Sequence, residues 1–151
     1  MLTVVLDTNI VLDVFVFHDA AALPLGHALA SKQVNWLATA PMRDELARVL
    51  TYAHIVRRLA DSPLGSMGPL TAQAVLASFD RHAVLHDNAP RAPAVCKDPD
   101  DQRFIDLAVA HRALLISKDR AVTSMKKRLA ALGVEVWQCY RPEATSLDVP
   151  G

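Results

Sequence analysis

Short continuous apolar runs alternate along this chain with longer stretches in which apolar positions recur every three or four residues. The first run, Leu2 to Leu6, is the pattern of a strand buried on both faces of a parallel sheet. Ile10 to Phe17 is apolar nearly all round and predicts a buried helix. Ala20 to Ser31 predicts a second helix, with Pro24 near its first turn. Trp36 to Thr39 is a short strand. Pro41 then suits a first helical position, and Met42 to about Tyr52 keeps helical spacing. A further helical piece covers His54 to Leu59. Asp61 to Pro69 (DSPLGSMGP) is the clearest loop. Leu70 to Phe79 is helical, Ala83 to His86 a strand, and Asp87 to Pro93 a second loop. A helix runs from KDPDD to about Ala110, followed by a buried strand, Leu114 to Ser117. Val122, Met125, Leu129 and Leu132 form a helical stripe, with Gly133 placed to cap it. Val134 to Gln138 is the last strand.

Strands that alternate with helices predict an α/β domain with a mostly parallel sheet and helices on both faces. The 151 residues suit one domain. We find no repeat and no low-complexity segment. Apolar residues make up 52% of the chain, enough for a sizeable core without a disulfide staple. The formal net charge of zero excludes a nonspecific polycation that coats nucleic acid, though not a local basic patch. Cys96 and Cys139 lack metal-binding spacing and read as reduced thiols. The N-terminal apolar run has no basic leader and is broken by Asp7 and Asp13. It fits neither a signal peptide nor a membrane span, so the cytoplasm is the expected compartment.

In folds of this kind ligands bind beyond the carboxyl ends of the strands. Asp7 follows the first strand directly, and Asp119 follows LLIS after one residue. Glu45 shares a helical stripe with Met42, Val49 and Tyr52, whereas Asp44 points away from it. Asp101 lies four residues before Ile105 and seven before Ala108, above a packed face. Asp7, Glu45, Asp101 and Asp119 are therefore expected to converge. Two like charges ~4 Å apart repel by about 4 kcal/mol at an effective dielectric of ~20, so such a group holds protons or a cation. Oxygen ligands without His or Cys suit Mg²⁺ or Mn²⁺.

Each acid also has an ordinary use. Asp98 fits an N-cap, Pro99 a first helical position, and Asp100 a favourable place in the helix dipole. Asp119 can cap the helix after it, and Glu45 and Asp101 can be first-turn acids. Asn9 can cap the first helix or help hold Asp7 and a water; Thr8 can be a turn hydroxyl; Asp13 reads as structural. A strand-end acid before a buried helix has fewer such uses, which makes Asp7 the strongest candidate. No Ser/His/Asp or Cys/His arrangement is evident. His18, His54 and His111 read as surface or packing residues.

The segments VVLDTNI, RDELARVL, DPDDQRFIDLAVAHRA and LLISKDRAV together resemble the PIN-domain nucleases, in the family's order and from Leu2 to about Val136. The chain is most similar to the VapC-like toxin components of bacterial toxin–antitoxin pairs. The resemblance implies a Rossmann-like three-layer α/β/α sandwich with about five strands, a PIN domain over 1–140 and a loose tail over 141–151. It implies a Mg²⁺- or Mn²⁺-dependent ribonuclease with catalytic and metal-holding acids at Asp7, Glu45, Asp101 and Asp119. Asn9 and Ser117 match supporting positions. Asp98 and Asp100 compete with Asp101 for the third place, and helix phase favours Asp101. An RNA substrate, a homodimer and an antitoxin partner are implied as well; DNA cleavage and a non-catalytic binding role are the alternatives. Lys97, Arg103, Lys118 and Arg120 flank the acids, and Arg57, Arg58 and Lys126 to Arg128 are further cations for substrate. A haloacid-dehalogenase-like phosphatase would need an acid where Asn9 stands. A receiver-like domain would need an acidic pair where Asp7 is single.

Overall fold

A computed structural model describes residues 1–61 and 70–142. The order is β1 (Leu2–Leu6), α1 (Thr8–Leu12), a π-helical turn (Asp13–Phe17), a 3₁₀ turn (Ala20–Ala22), α2 (Leu23–Ala30), β2 (Val34–Thr39), α3 (Ala40–Val49) and α4 (Ala53–Ala60). Then come α5 (Ala72–His82), β3 (Ala83–His86), a 3₁₀ turn (Pro99–Asp101), α6 (Gln102–His111), β4 (Leu114–Ile116), α7 (Arg120–Thr123), α8 (Lys126–Ala131) and β5 (Val136–Trp137).

All four strand pairings are parallel, in the order β3-β2-β1-β4-β5. Moving from β1 to β2 to β3 the chain winds one way; from β3 it jumps back beyond β1 to β4 and then β5. Right-handed crossovers therefore put α1 to α5 on one face and α6 to α8 on the other. The direction reverses between β1 and β4, and a crevice opens there at the carboxyl ends of the strands. Asp7 and Asp119 leave the sheet at this point.

The central strands are apolar because both faces are covered. Val4, Val5, Leu115 and Ile116 are completely buried. On the α1–α5 face Trp36 stacks on Phe15 at 6.2 Å and meets Phe79 edge-on at 5.0 Å. Phe15 thus packs, partly buried, against the core. The opposite face is closed by Ile105, Leu107 and Ala108 of α6.

Several predicted boundaries shift. The helix expected over Ile10–Phe17 is a five-residue α1 that widens into a π-turn, closed by His18 in the left-handed region at φ 50°. The stripe from Val122 to Leu132 is carried by two short helices, since the chain turns at Ser124–Met125. Gly133 ends α8 at φ 82°, a conformation that favours glycine. The helix expected to reach Tyr52 stops at Val49, and Tyr52 is exposed. The last strand is only Val136–Trp137. The loop expected at Asp61–Pro69 and the tail from 141 lie almost wholly outside the described residues.

The segment between β3 and the 3₁₀ turn at Pro99–Asp101 has no regular structure, yet it buries Ala92, Ala94 and Cys96. A buried side chain holds it. Gln102 Nε2 donates to the Ala94 carbonyl at 3.0 Å and to Asp106 Oδ1 at 2.8 Å, and Gln102 Oε1 accepts from Cys96 N–H at 2.6 Å. Asp106 Oδ1 also accepts from Ala92 N–H at 2.9 Å. This lashing sets where Asp98 and Asp101 come to rest. Gln102→Leu keeps the volume but strands a buried N–H and a carbonyl, so urea denaturation should show a loss of about 2 kcal/mol or more. Unchanged stability would contradict that role.

Candidate active site

Asp7 is 3% exposed and stands just past β1, whose ladder continues through Asp7 N–H to Ile116 O at 3.2 Å. Its extended backbone makes it the N-cap of α1: Oδ1 accepts from Ile10 N–H at 3.0 Å. The expectation that Asn9 might cap this helix is thereby corrected. A cap precedes the first helical residue, and Asn9 lies within α1, exposed. Asp7 Oδ2 accepts from the hydroxyl of Ser117, which is fully buried just beyond β4. Ser117 Oγ in turn accepts from Asp119 N–H at 3.1 Å. One hydroxyl thus couples the acid after β1 to the acid after β4. Burial pushes the Asp7 carboxyl up, the bonds from Ser117 and Ile10 pull it back down, and the charges of Asp119 and Asp13 add to the rise.

Asp119 caps α7 by accepting from Ala121 N–H at 2.9 Å. Asp98 caps the turn before α6 by accepting from Asp100 N–H at 2.9 Å. Both ordinary uses read from the sequence are realised, but they do not exhaust these residues. Oxygens of Asp98, Asp101 and Asp119 all lie within 4.8 Å of one another. Asp101 Oδ2 is buried with no hydrogen-bond partner. Burial, the Asp119 carboxyl beside it, and the charges of Asp119, Asp98 and Asp7 push the Asp101 carboxyl up to about 8. The group therefore holds a proton when nothing else neutralises it. A divalent cation would meet the same need, and hard carboxylate oxygens with an orphaned buried atom among them fit Mg²⁺ or Mn²⁺.

The arrangement differs in part from the sequence expectation. Asp101 and Asp119 come together as expected, and Asp98 joins them while Asp100 is exposed. Asp7 acts on the group through its charge and through Ser117. Glu45 is not in the group of three; its carboxylate accepts from the Thr8 hydroxyl, which ties α3 to the first turn of α1. Thr8 is therefore more than a turn hydroxyl.

Two of the cations read as substrate contacts also have structural partners. Lys118 pairs with Asp13, which raises its pKa and gives Asp13 the structural use expected of it. Arg58 donates to Phe17 O at 3.2 Å. The Thr8 role was missed because its partner is 37 residues away, and Gln102 because it holds main-chain groups of an irregular loop. Both thiols are free. No single helix among the described residues is long and apolar enough to cross a membrane.

Stability should follow the Asp101 proton. Between the ordinary carboxylate range and about 8 the folded chain holds a proton on Asp101 that the unfolded chain has released. Stability must then fall as pH rises through that window. In chelator, the melting temperature should drop between pH 5 and pH 8.5, and Asp101→Asn should be the more stable protein at pH 8. Parallel profiles for the two proteins would show that Asp101 is not the strained group.

Comparison with known proteins agrees with this geometry. The family model for the PIN domain matches residues 3–121. No curated protein matches the chain. Three chains of solved structures do. One, from the crystal structure of VapBC2 from Rickettsia felis bound to a DNA fragment from their promoter, superposes with a TM-score of 0.58 at 15% identity. The alignment covers 91% of this chain and 100% of that one. At that identity the likeness is one of fold. With the match over residues 3–121 and an acidic site at the sheet's switch point, the chain belongs to the PIN-domain family, a family of nucleases.

Proposed function

We propose that this protein is a metal-dependent endoribonuclease that hydrolyses RNA phosphodiester bonds. We further propose that it is the toxin of a toxin–antitoxin pair, working in the cytoplasm as a homodimer and restrained by a cognate antitoxin. The observation that carries the enzymatic reading is the group Asp98, Asp101 and Asp119 around a buried, partnerless Asp101 oxygen. The family match supports nuclease chemistry, and the VapBC2 neighbour favours the toxin reading.

Asp101 and Asp119, with Asp98 and Asp7 beside them, would hold Mg²⁺ or Mn²⁺. Bound there, such an ion supplies a water activated at neutral pH and charge stabilisation on the phosphoryl oxygens. The chain's own residues set the geometry. Ser117 keeps one Asp7 oxygen turned toward β4 and fixes the Asp119 main chain. Thr8 holds Glu45, whose carboxylate would accept a hydrogen bond from the attacking water and fix its direction. No side chain need act as a covalent nucleophile. Asn9, exposed on the first turn of α1, would meet the substrate or a bound water.

The first test is a panel of labelled single-stranded RNA and DNA with Mn²⁺, Mg²⁺ or EDTA. RNA should be cut with metal and left intact in EDTA, and Asp7→Asn should lower the rate by ~10²-fold or more. Cutting of DNA alone would replace the substrate reading, and metal-dependent cutting unchanged in Asp7→Asn would remove the site from these acids. Ser117→Ala offers a finer test. Without the hydroxyl that lowers the Asp7 pKa, the acid limb of the rate profile should move to higher pH. An unmoved limb would show that Asp7 does not set it.

A further inference from the structure

A cleft of about 280 Å³ opens on the β2 side of the acids, lined by Thr39, Pro41, Asn88, Ala89, Arg103 and Asp106. Its walls come from the end of β2, the start of α3, the loop after β3 and the first turns of α6. Arg103 lies two residues after Asp101, and Pro41 lies four residues before Glu45.

The α3 end of the cleft is short of hydrogen-bond acceptors. Thr39 occupies the N-cap of this ten-residue helix, yet its hydroxyl makes no capping bond. Thr39 is only 3% exposed, and its hydroxyl has no partner within the described protein. The side chain is packed on its other sides, so the unpaired hydroxyl opens onto the cleft it lines. Pro41 brings no N–H, and the first-turn N–H groups of Ala40 and Met42 receive no side-chain acceptor. The helix dipole adds partial positive charge there.

Arg103 supplies full charge. One of its nitrogens donates to Pro41 O at 3.2 Å, which holds the guanidinium over the start of α3, and no carboxylate pairs with it among the described residues. Asp106 also lines the cleft and keeps its negative charge, but its Oδ1 is turned to Ala92 N–H and Gln102 Nε2, away from an added anion's donors. Hydroxyl, main-chain N–H and guanidinium donors at one place match a phosphate.

We propose that this cleft is a phosphate subsite, holding the backbone phosphate next to the one cut at the acids. This rests on the nuclease reading above and extends it. The contacts are to phosphate, so the subsite positions the strand and reads no base.

The test uses the full chain in two arms. In the first, cleavage of a short single-stranded oligonucleotide is measured for wild type, Thr39→Val, Thr39→Ser and Arg103→Gln. Thr39→Val and Arg103→Gln should each raise KM roughly tenfold or more with kcat little changed, and Thr39→Ser should stay near wild type. The dependence of log KM on log salt should become shallower by about 0.7 in Arg103→Gln. A substrate with an uncharged methylphosphonate beside the cut should cost wild type the same factor and the variants nothing more. In the second arm, inorganic phosphate is titrated in chelator while the amide resonances of Ala40 and Met42 are followed. They should shift in wild type and not in Thr39→Val. Amide shifts without any cleavage would uphold the anion site and sink only the nuclease reading. Normal cleavage with unchanged KM in both variants, or no amide shift, would overturn the subsite.

Discussion

Carboxylates crowded beside one buried oxygen are the constraint on which the rest of this structure depends. Asp98, Asp101 and Asp119 stand within 4.8 Å of one another, and Asp101 Oδ2 has no partner to offset its burial. Such an arrangement opposes folding unless a proton or a cation relieves it. The fold must therefore contribute enough elsewhere to keep the acids in place. It does so with a parallel sheet whose central strands are sealed on both faces. The lashing of the loop before α6 by Gln102 adds to this. Stability given up at one edge of the sheet creates a place where a metal ion binds with something to gain.

The positions of the acids follow from topology before chemistry. Reversal of winding between β1 and β4 opens the crevice, and the residues that end those two strands fall into it. Ser117 then makes two neighbouring strand ends into one unit by donating to Asp7 and accepting from Asp119. Thr8 performs a similar service for Glu45 across a gap of 37 residues. The capping bonds of Asp7, Asp98 and Asp119 each commit one oxygen to a helix start. Capping and ion holding are thus compatible uses for Asp98 and Asp119, whose second oxygens make no protein hydrogen bond among the described residues, whereas that of Asp7 accepts from Ser117.

That double use explains what the sequence could and could not convey. Asp7, Asp119 and the phase of Asp101 were legible because strand ends and helical spacing are local signals. Asp98 looked like a cap, which it is; its place beside Asp101 depends on how the turn folds back. Gln102 gave no signal, because its partners are main-chain atoms of an irregular loop. The strands Leu2–Leu6 and Ala83–His86 were read to the residue from continuous apolar runs. The π-turn after α1 was not, since an all-apolar run carries no sign of where hydrogen-bond spacing widens. Nor does sequence distinguish a cation free for substrate from one already bound. Lys118 belongs to the second kind and Arg103, apart from one carbonyl, to the first.

The most direct measurement is diffraction from crystals of this protein soaked in Mn²⁺, recorded where manganese scatters anomalously. The expected result is a peak contacted by Asp101 and Asp119, with Asp98 or Asp7 completing its protein ligands. A site without such a peak at millimolar Mn²⁺ and neutral pH would contradict the claim that these acids gather to hold a metal ion.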